Sequence, residues 1–340
     1  MAVSDAGLRE LLFPESLRIK KEKYRGAAIM KKWEKRLLFM FSGIFFLGIA
    51  IAGCGQKHPD QMQEHYTIGV VTKSKDSEYW MSVCSGMEKA VQNRDAEVEV
   101  VILSPDSETD EKIQKKMIED LIKMQVDALA VSPVDSYENQ GYITKAEEEG
   151  IPVYSYDTPV CDCQIPYIGI DNEKAGYALA EVMAQSMNYK GKIAVIGGSM
   201  RQACHRQRIE GFQACMESYP DIQIETVKSG YSNLRVSEKE MEQIQRDYPD
   251  LNGIMTTSAV TALGIAEATK GTGIVIASMD EQEDAVRAVE DGRILALGAQ
   301  SGYQIGYETI GYILDDLEGK ELEQEKILDI EILTSDNIPK

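Results

Sequence analysis

The chain has 340 residues, with 36 Lys and Arg against 56 Asp and Glu and a formal net charge of −20 at neutral pH. So acidic a surface repels nucleic acid and anionic headgroups, which argues against both as partners of the folded part. The length exceeds what one hydrophobic core usually organises, so two domains are expected.

In chain order, residues 1–29 form a mixed-charge polar segment of a kind that seldom precedes an export signal. Translation from Met30 and a short cytoplasmic N-terminal extension both account for it. From Met30 the chain reads as a signal peptide: Lys31, Lys32, Lys35 and Arg36 supply a basic start, Leu37 to Ala52 an uncharged apolar run, and Ile51-Ala52-Gly53-Cys54 small residues before a cysteine. The alternative, a plain transmembrane anchor, needs roughly 20 apolar residues. This run offers sixteen. The pattern resembles the bacterial lipobox, which implies cleavage before Cys54 and a diacylglyceryl thioether on its sulfur. Residues 30–53 are then the signal peptide and 54–65, polar and carrying Pro59, the tether. The first 53 residues hold ten Lys and Arg and five Asp and Glu, so the mature charge becomes −25.

After the tether, apolar runs alternate with helical spacing almost to the end. Strand Tyr66–Thr72 leads to helix 79–93, strand 98–103, helix 109–124, strand 126–132, helix 137–149, strand 151–156 and a further run at 165–170. The cycle restarts with helix 172–189, strand 192–196, helix 205–218, strand 222–227 and helix 234–247. It continues with strand 253–257, helix 259–269, strand 273–279, helix 281–291, strand 294–299 and helix 303–317. Parallel strands need crossover connections, so this beat predicts two α/β domains, each a doubly wound parallel sheet covered by helices on both faces. Ligands of open α/β sheets bind beyond the carboxyl ends of the strands, where the functional search belongs.

Those ends carry Lys75 to Trp80, Asp157-Thr158, Ser199 to Arg208, Thr257-Ser258, Asp280 and Gln300. No nucleophile elbow, no Gly-rich phosphate loop with a following Lys and no base beside a nucleophile is found among them, so no enzyme is predicted. Carboxylates, arginines, amides and aromatics remain, a mixture suited to polyhydroxyl compounds: charged groups bond hydroxyls strongly and flat rings stack on the apolar side of a sugar. Six cysteines stand at 54, 84, 161, 163, 204 and 215. None has metal-ligand spacing, Cys84 and Cys215 sit in helical patterns, and a disulfide from Cys161 or Cys163 to Cys204 is left open. No metal and no cofactor are expected.

Several local patterns occur in one order: IGVVTKS followed by an aromatic pair and Gly86, then IPVYSYD, YIGIDNEKAG, RQRIEGF, ASMD and AVEDGRILALGAQSGYQIG. Over about residues 66–335 the chain thus resembles the ribose/galactose type of periplasmic solute-binding protein, which shares its fold with the ligand-binding half of LacI-type repressors. The resemblance implies two lobes, 66–170 plus 301–329 and 171–300 plus 330–340. They would be joined by a three-strand hinge crossing near Ile170-Asp171, Gln300-Ser301 and Asp329-Ile330, and would close on ligand.

It also implies ligand-binding roles for Tyr79 and Trp80 as stacking rings, Asp157 as acceptor, Arg206 as donor, Ser258, Asp280 and the hinge amide Gln300. Arg208 is expected in a structural ion pair. For each binding residue an N-cap or a solvated loop residue is the alternative. Three departures from the family pattern bear on the ligand: Glu78 replaces its proline, Thr158 its arginine, and Ser258-Ala259 its Asn-Asp pair. Donors are lost while acidity is kept, which points to a modified sugar, a polyol or a partly cationic ligand near Asp157, Asp280 and Glu78.

The function implied is an extracytoplasmic, lipid-anchored, monomeric binding protein on the outer face of the cytoplasmic membrane or cell envelope. It would present a sugar-like solute to an ABC permease. The alternative is a ligand sensor that signals to a membrane histidine kinase or chemoreceptor. A repressor is disfavoured by the export signal, the acidity and the lack of a helix-turn-helix before residue 66.

Overall fold

A computed structural model describes residues 65–75, 77–94 and 97–338. The signal peptide, Cys54 and the tether lie outside them. In chain order the described part reads β1 (His65–Val71), α1 (Glu78–Gln92), β2 (Glu97–Leu103), α2 (Glu111–Lys123), β3 (Ala128–Val131), α3 (Gln140–Glu148), β4 (Val153–Tyr156) and β5 (Tyr167–Ile170). Then come α4 (Asn172–Ser186), β6 (Gly191–Gly197), α5 (Ala203–Met216), β7 (Ile222–Ser229), α6 (Leu234–Asp247), β8 (Gly253–Thr256), α7 (Ala259–Ala266), β9 (Val275–Met279), α8 (Glu283–Glu290) and β10 (Ala296–Ala299). Helix α9 (Gly302–Leu317) and strands β11 (Glu325–Leu328) and β12 (Glu331–Thr334) complete it.

The strands form two six-stranded sheets, ordered β2-β1-β3-β4-β5-β11 and β7-β6-β8-β9-β10-β12. The order is the same in both, so each lobe repeats the other's plan. All described pairings are parallel except β10 with β12. This is the predicted two-lobed α/β architecture. The alternation was readable because the inner strands are buried on both faces: in β3, Ala128 and Ala130 join the core beneath α1 and α9, whereas Leu129 and Val131 join that beneath α2 and α3. In the second lobe Ile193 and Val195 face α4 and α5, and Ala194 and Ile196 face α6, α7 and α8.

The chain passes between the sheets three times: from β5 into α4, from β10 into α9, and from β11 to β12. Two of these crossings end in helix caps, with Asp171 accepting the Lys174 N–H at 2.9 Å and Ser301 that of Gln304 at 3.3 Å. Beside the hinge each lobe presses two helices together at a pair of glycines. A Cβ on Gly86 of α1 would stand 1.9 Å from the Tyr303 carbonyl oxygen, and one on Gly306 of α9 equally close to that of Val83. Gly176 of α4 and Gly211 of α5 repeat the device against Arg208 and Glu173.

Some expected boundaries shift. Helix α3 starts at Gln140 rather than 137, because the Asp162 carboxylate accepts the backbone N–H groups of Asn139 and Gln140 and holds the preceding loop out of the helix. Helix α7 ends at Ala266, ahead of 269. Strands β11 and β12, joined without a helix, escaped the alternation altogether.

Candidate functional site

The carboxyl ends of β1, β3 and β4 face those of β6, β8, β9 and β10 across a cleft. Asp157 follows β4 and Asp280 follows β9, equivalent strands of the two sheets, and both residues hold left-handed backbones, at φ 62° and 72°. Such a conformation costs an L-residue free energy and tends to occur where function fixes the geometry.

Asp157 is buried at the centre. Its Oδ1 accepts the Tyr79 hydroxyl at 2.7 Å and the Gln300 amide at 3.4 Å; its Oδ2 accepts Ser132 Oγ at 3.1 Å and Thr158 Oγ1 at 2.8 Å, and lies 3.1 Å from Lys73 Nζ. Burial alone would raise this carboxyl, but Lys73 and Arg208 overcome it and hold its pKa at about 2. Lys73, only 3% exposed, also donates to Thr158 Oγ1 and, across the cleft, to Gln202 Oε1, both at 2.9 Å. Its Nζ stands 5.3 Å from the centre of the Trp80 ring. Burial works against the Lys73 charge, yet Asp157 chiefly, with Cys204 and Glu108, raises its pKa overall.

From the second lobe, Arg208 uses all three nitrogens: Nε to Asn172 Oδ1 at 2.9 Å, one terminal nitrogen to the Thr257 carbonyl at 2.8 Å, the other to Gln300 Oε1 at 3.0 Å. Asp280 lies 3.8 Å from it. Gln300 ties the hinge to both lobes, its amide donating to Tyr79 Oη at 2.7 Å and Asp280 Oδ1 at 3.2 Å. His205 Nδ1 and Thr257 Oγ1 share a hydrogen bond at 2.8 Å, and burial, helped by Lys73 and Arg208, keeps the ring neutral. The cavity left among these groups measures about 30 Å³, enough for one or two waters.

Around the rim the lobes are stitched again. Arg201 of the second lobe bonds Asp135 through Nε at 2.7 Å and reaches Glu138 at 3.1 Å, the Ala203 N–H donates to Ser136 Oγ at 2.9 Å, and the Glu283 N–H donates to Glu78 Oε1 at 2.9 Å. Asp135, Glu138 and Glu111 bring their carboxylates within 4.8 Å of one another, and Arg201 and Lys115 pair with them.

Of the expected residues, Tyr79, Trp80, Asp157, Ser258, Asp280 and Gln300 all line the cavity. Arg206 does not: its guanidinium lies 4.7 Å over the Tyr137 ring, and Arg208 takes the place in the cleft. Helix phase explains the exchange, since Cys204, His205 and Arg208 share one face of α5 and Arg206 is turned some 200° from Arg208. Glu78 is spent on capping α8 and is absent from the cavity lining. The donor missing at Thr158 is replaced by Lys73, which sequence reading overlooked along with Glu108, His205 and Gln202. A lysine just past a strand reads as solvated; only its partner 84 residues away shows otherwise. All five described cysteines are free thiols, Cys161 exposed and Cys204 buried in the cleft.

Burial pushes the Asp280 carboxyl up to about 6, against the opposing pull of Arg208, with Asp157 adding to the rise. A raised folded-state pKa makes this group's contribution fully favourable below the unfolded value near 3.8 and removes it as pH climbs through 6. Asp280→Asn should therefore gain stability relative to the parent between pH 4.5 and 8, by on the order of 1 to 3 kcal/mol. Urea denaturation of both proteins across that range reads the difference; parallel curves would refute it.

Two α/β lobes meet across a polar cleft at their strand ends, an arrangement that can enclose a small solute. The chain belongs to the periplasmic binding protein domain family, whose model matches residues 68–321. It is 26% identical over 265 residues to the ribose import binding protein RbsB of Bacillus subtilis, covering 77% of this chain and 85% of that one. It is equally similar, over 271 residues, to the D-ribose/D-allose-binding protein of Pseudomonas aeruginosa (76% and 84%). Among solved structures, an ABC transporter solute-binding protein from Agrobacterium vitis with bound D-fucose superposes with a TM-score of 0.77 at 26% identity, over 81% of this chain and 97% of that one.

Proposed function

We propose that this chain captures a sugar or sugar-like solute outside the cytoplasm and delivers it to an ABC importer, anchored by lipid on Cys54. The observation that carries the reading is the cleft itself: carboxylates, an arginine and an amide converge from both lobes and the hinge beside Tyr79 and Trp80. A cavity of about 30 Å³ is too small for a sugar ring, so ligand enters when the lobes part at the three crossings and is enclosed when they close. Binding falls to Tyr79, Trp80, Asp157, Ser258, Asp280 and Gln300, with Arg208 in the role first given to Arg206.

Calorimetric titration of the purified chain with ribose, allose, arabinose and fucose tests this. Saturable heat from at least one sugar, weakened tenfold or more by Gln300→Ala, is expected; no heat from any sugar in a broader neutral and charged panel would overturn it. Metabolic labelling with a radioactive fatty acid, lost in Cys54→Ala, checks the anchor. Sugar uptake that fails on deletion separates import from signalling through a histidine kinase or chemoreceptor.

A further inference from the structure

Five charged side chains line the cavity, and they do not balance. Lys73 is matched by Asp157 at 3.1 Å and Arg208 faces Asp280 at 3.8 Å. Glu108 is the third carboxylate of the lining, and among the described residues no cation stands within 4 Å of it. One of its oxygens accepts the Trp80 indole N–H at 3.0 Å; the other takes no hydrogen bond from a described residue. The Glu108 backbone carbonyl meanwhile accepts the Gln202 amide at 3.2 Å from the opposite lobe, which ties this stretch of main chain to the lobe boundary.

Asp157 cannot answer for an incoming cation, because five donors already surround it. Glu108 can. The Trp80 N–H holds one oxygen of this carboxylate at 3.0 Å and leaves the other for a ligand, while the face of the same ring is already taken by Lys73, 5.3 Å from its centre. The remaining polar lining, Ser77, Ser232, Ser258 and Gln282, suits hydroxyl groups.

We infer that the ligand is an aminated sugar or polyol whose ammonium pairs with Glu108 while its hydroxyls face the serine-lined remainder of the cleft. The inference rests on the sugar-binding reading above and narrows it. It moves the expected cation contact from Glu78, which caps α8, to Glu108.

The test titrates the full chain with matched series: glucosamine, glucose and glucuronate; galactosamine, galactose and galacturonate; 1-amino-1-deoxysorbitol and sorbitol. In at least one series the amine should bind ten times more tightly than its neutral parent and the uronate, where present, more weakly than either. Glu108→Gln, which keeps an acceptor for Trp80 Nε1, should narrow the amine-to-neutral ratio below three, with far-ultraviolet circular dichroism and the thermal midpoint reporting that the fold is intact. A neutral parent or a neutral pentose that binds as tightly as every amine overturns the inference and leaves the sugar reading standing. An undiminished amine preference in Glu108→Gln overturns the role of this carboxylate. Absence of binding by all amines and all neutral sugars overturns both.

Discussion

Lys73→Met is expected to destabilise the folded chain by about 3 to 5 kcal/mol, the range for removing one partner of a buried ion pair. Met fills much of the same volume, so the loss is electrostatic rather than a cavity. Without the ammonium, Asp157 keeps the burial penalty and loses its nearest cation, at 3.1 Å, and its carboxyl must rise from about 2. The pH dependence carries a sign that can be checked. A depressed carboxyl contributes stability above its unfolded value of 3.8 and loses it as pH falls toward 2, so the parent should show an acid-side slope that Lys73→Met flattens. Lys73, whose folded pKa is raised, contributes below its ordinary 10.5 and loses that contribution only in strong alkali. The double variant Lys73→Met/Asp157→Asn removes both charges and should recover at least half of the loss, since an uncharged pair carries no orphaned ion. Urea denaturation at pH 7 of the parent, both single variants and the double variant measures the coupling; additive single effects would show that the two groups do not act as a pair.

Lys73 also marks where reading the sequence stops. Each lobe's alternation was legible because parallel strands buried on both faces, such as Ala128–Val131 and Gly253–Thr256, and amphipathic crossover helices announce themselves through local periodicity. The strand-end rule then led to Asp157, Asp280 and Gln300 without knowledge of any contact. Three other features depend on groups far apart in the chain. Arg206 and Arg208 differ only in helix phase relative to a cleft whose other walls come from distant parts of the chain. Glu78 meets Glu283 across the lobes, so nothing near it in sequence reveals a capping role. Strands β11 and β12, four residues each and partly exposed, are too short to show a period of their own, and their pairing with β5 and β10 follows from topology rather than from their composition.

The hinge-side helix pairs tie that topology to the site, and Gly176→Ala should expose the link. A methyl there would stand 1.9 Å from the Arg208 carbonyl oxygen and 3.0 Å from its Cα, both backbone atoms that cannot rotate away. Helix α5 must therefore back off by roughly 1 Å or more to restore ordinary carbon–oxygen contact. Overpacking of this kind costs about 3 kcal/mol, the upper part of its usual range. The displacement has a second consequence, because Arg208 holds the Gln300 amide at 3.0 Å and faces Asp280. Affinity for whichever sugar the parent binds should fall at least tenfold even at temperatures where the variant remains folded. Gly141→Ala is the internal control: nothing lies within 4 Å of its Cβ, and the substitution should stabilise α3 by about 0.4 to 1 kcal/mol with no change in binding. Thermal unfolding and titration calorimetry on the two variants separate the outcomes. If Gly176→Ala unfolds earlier yet binds as tightly as the parent, the helix pair supports the fold without positioning Arg208; if it is also as stable as the parent, the close approach of α4 and α5 is itself refuted.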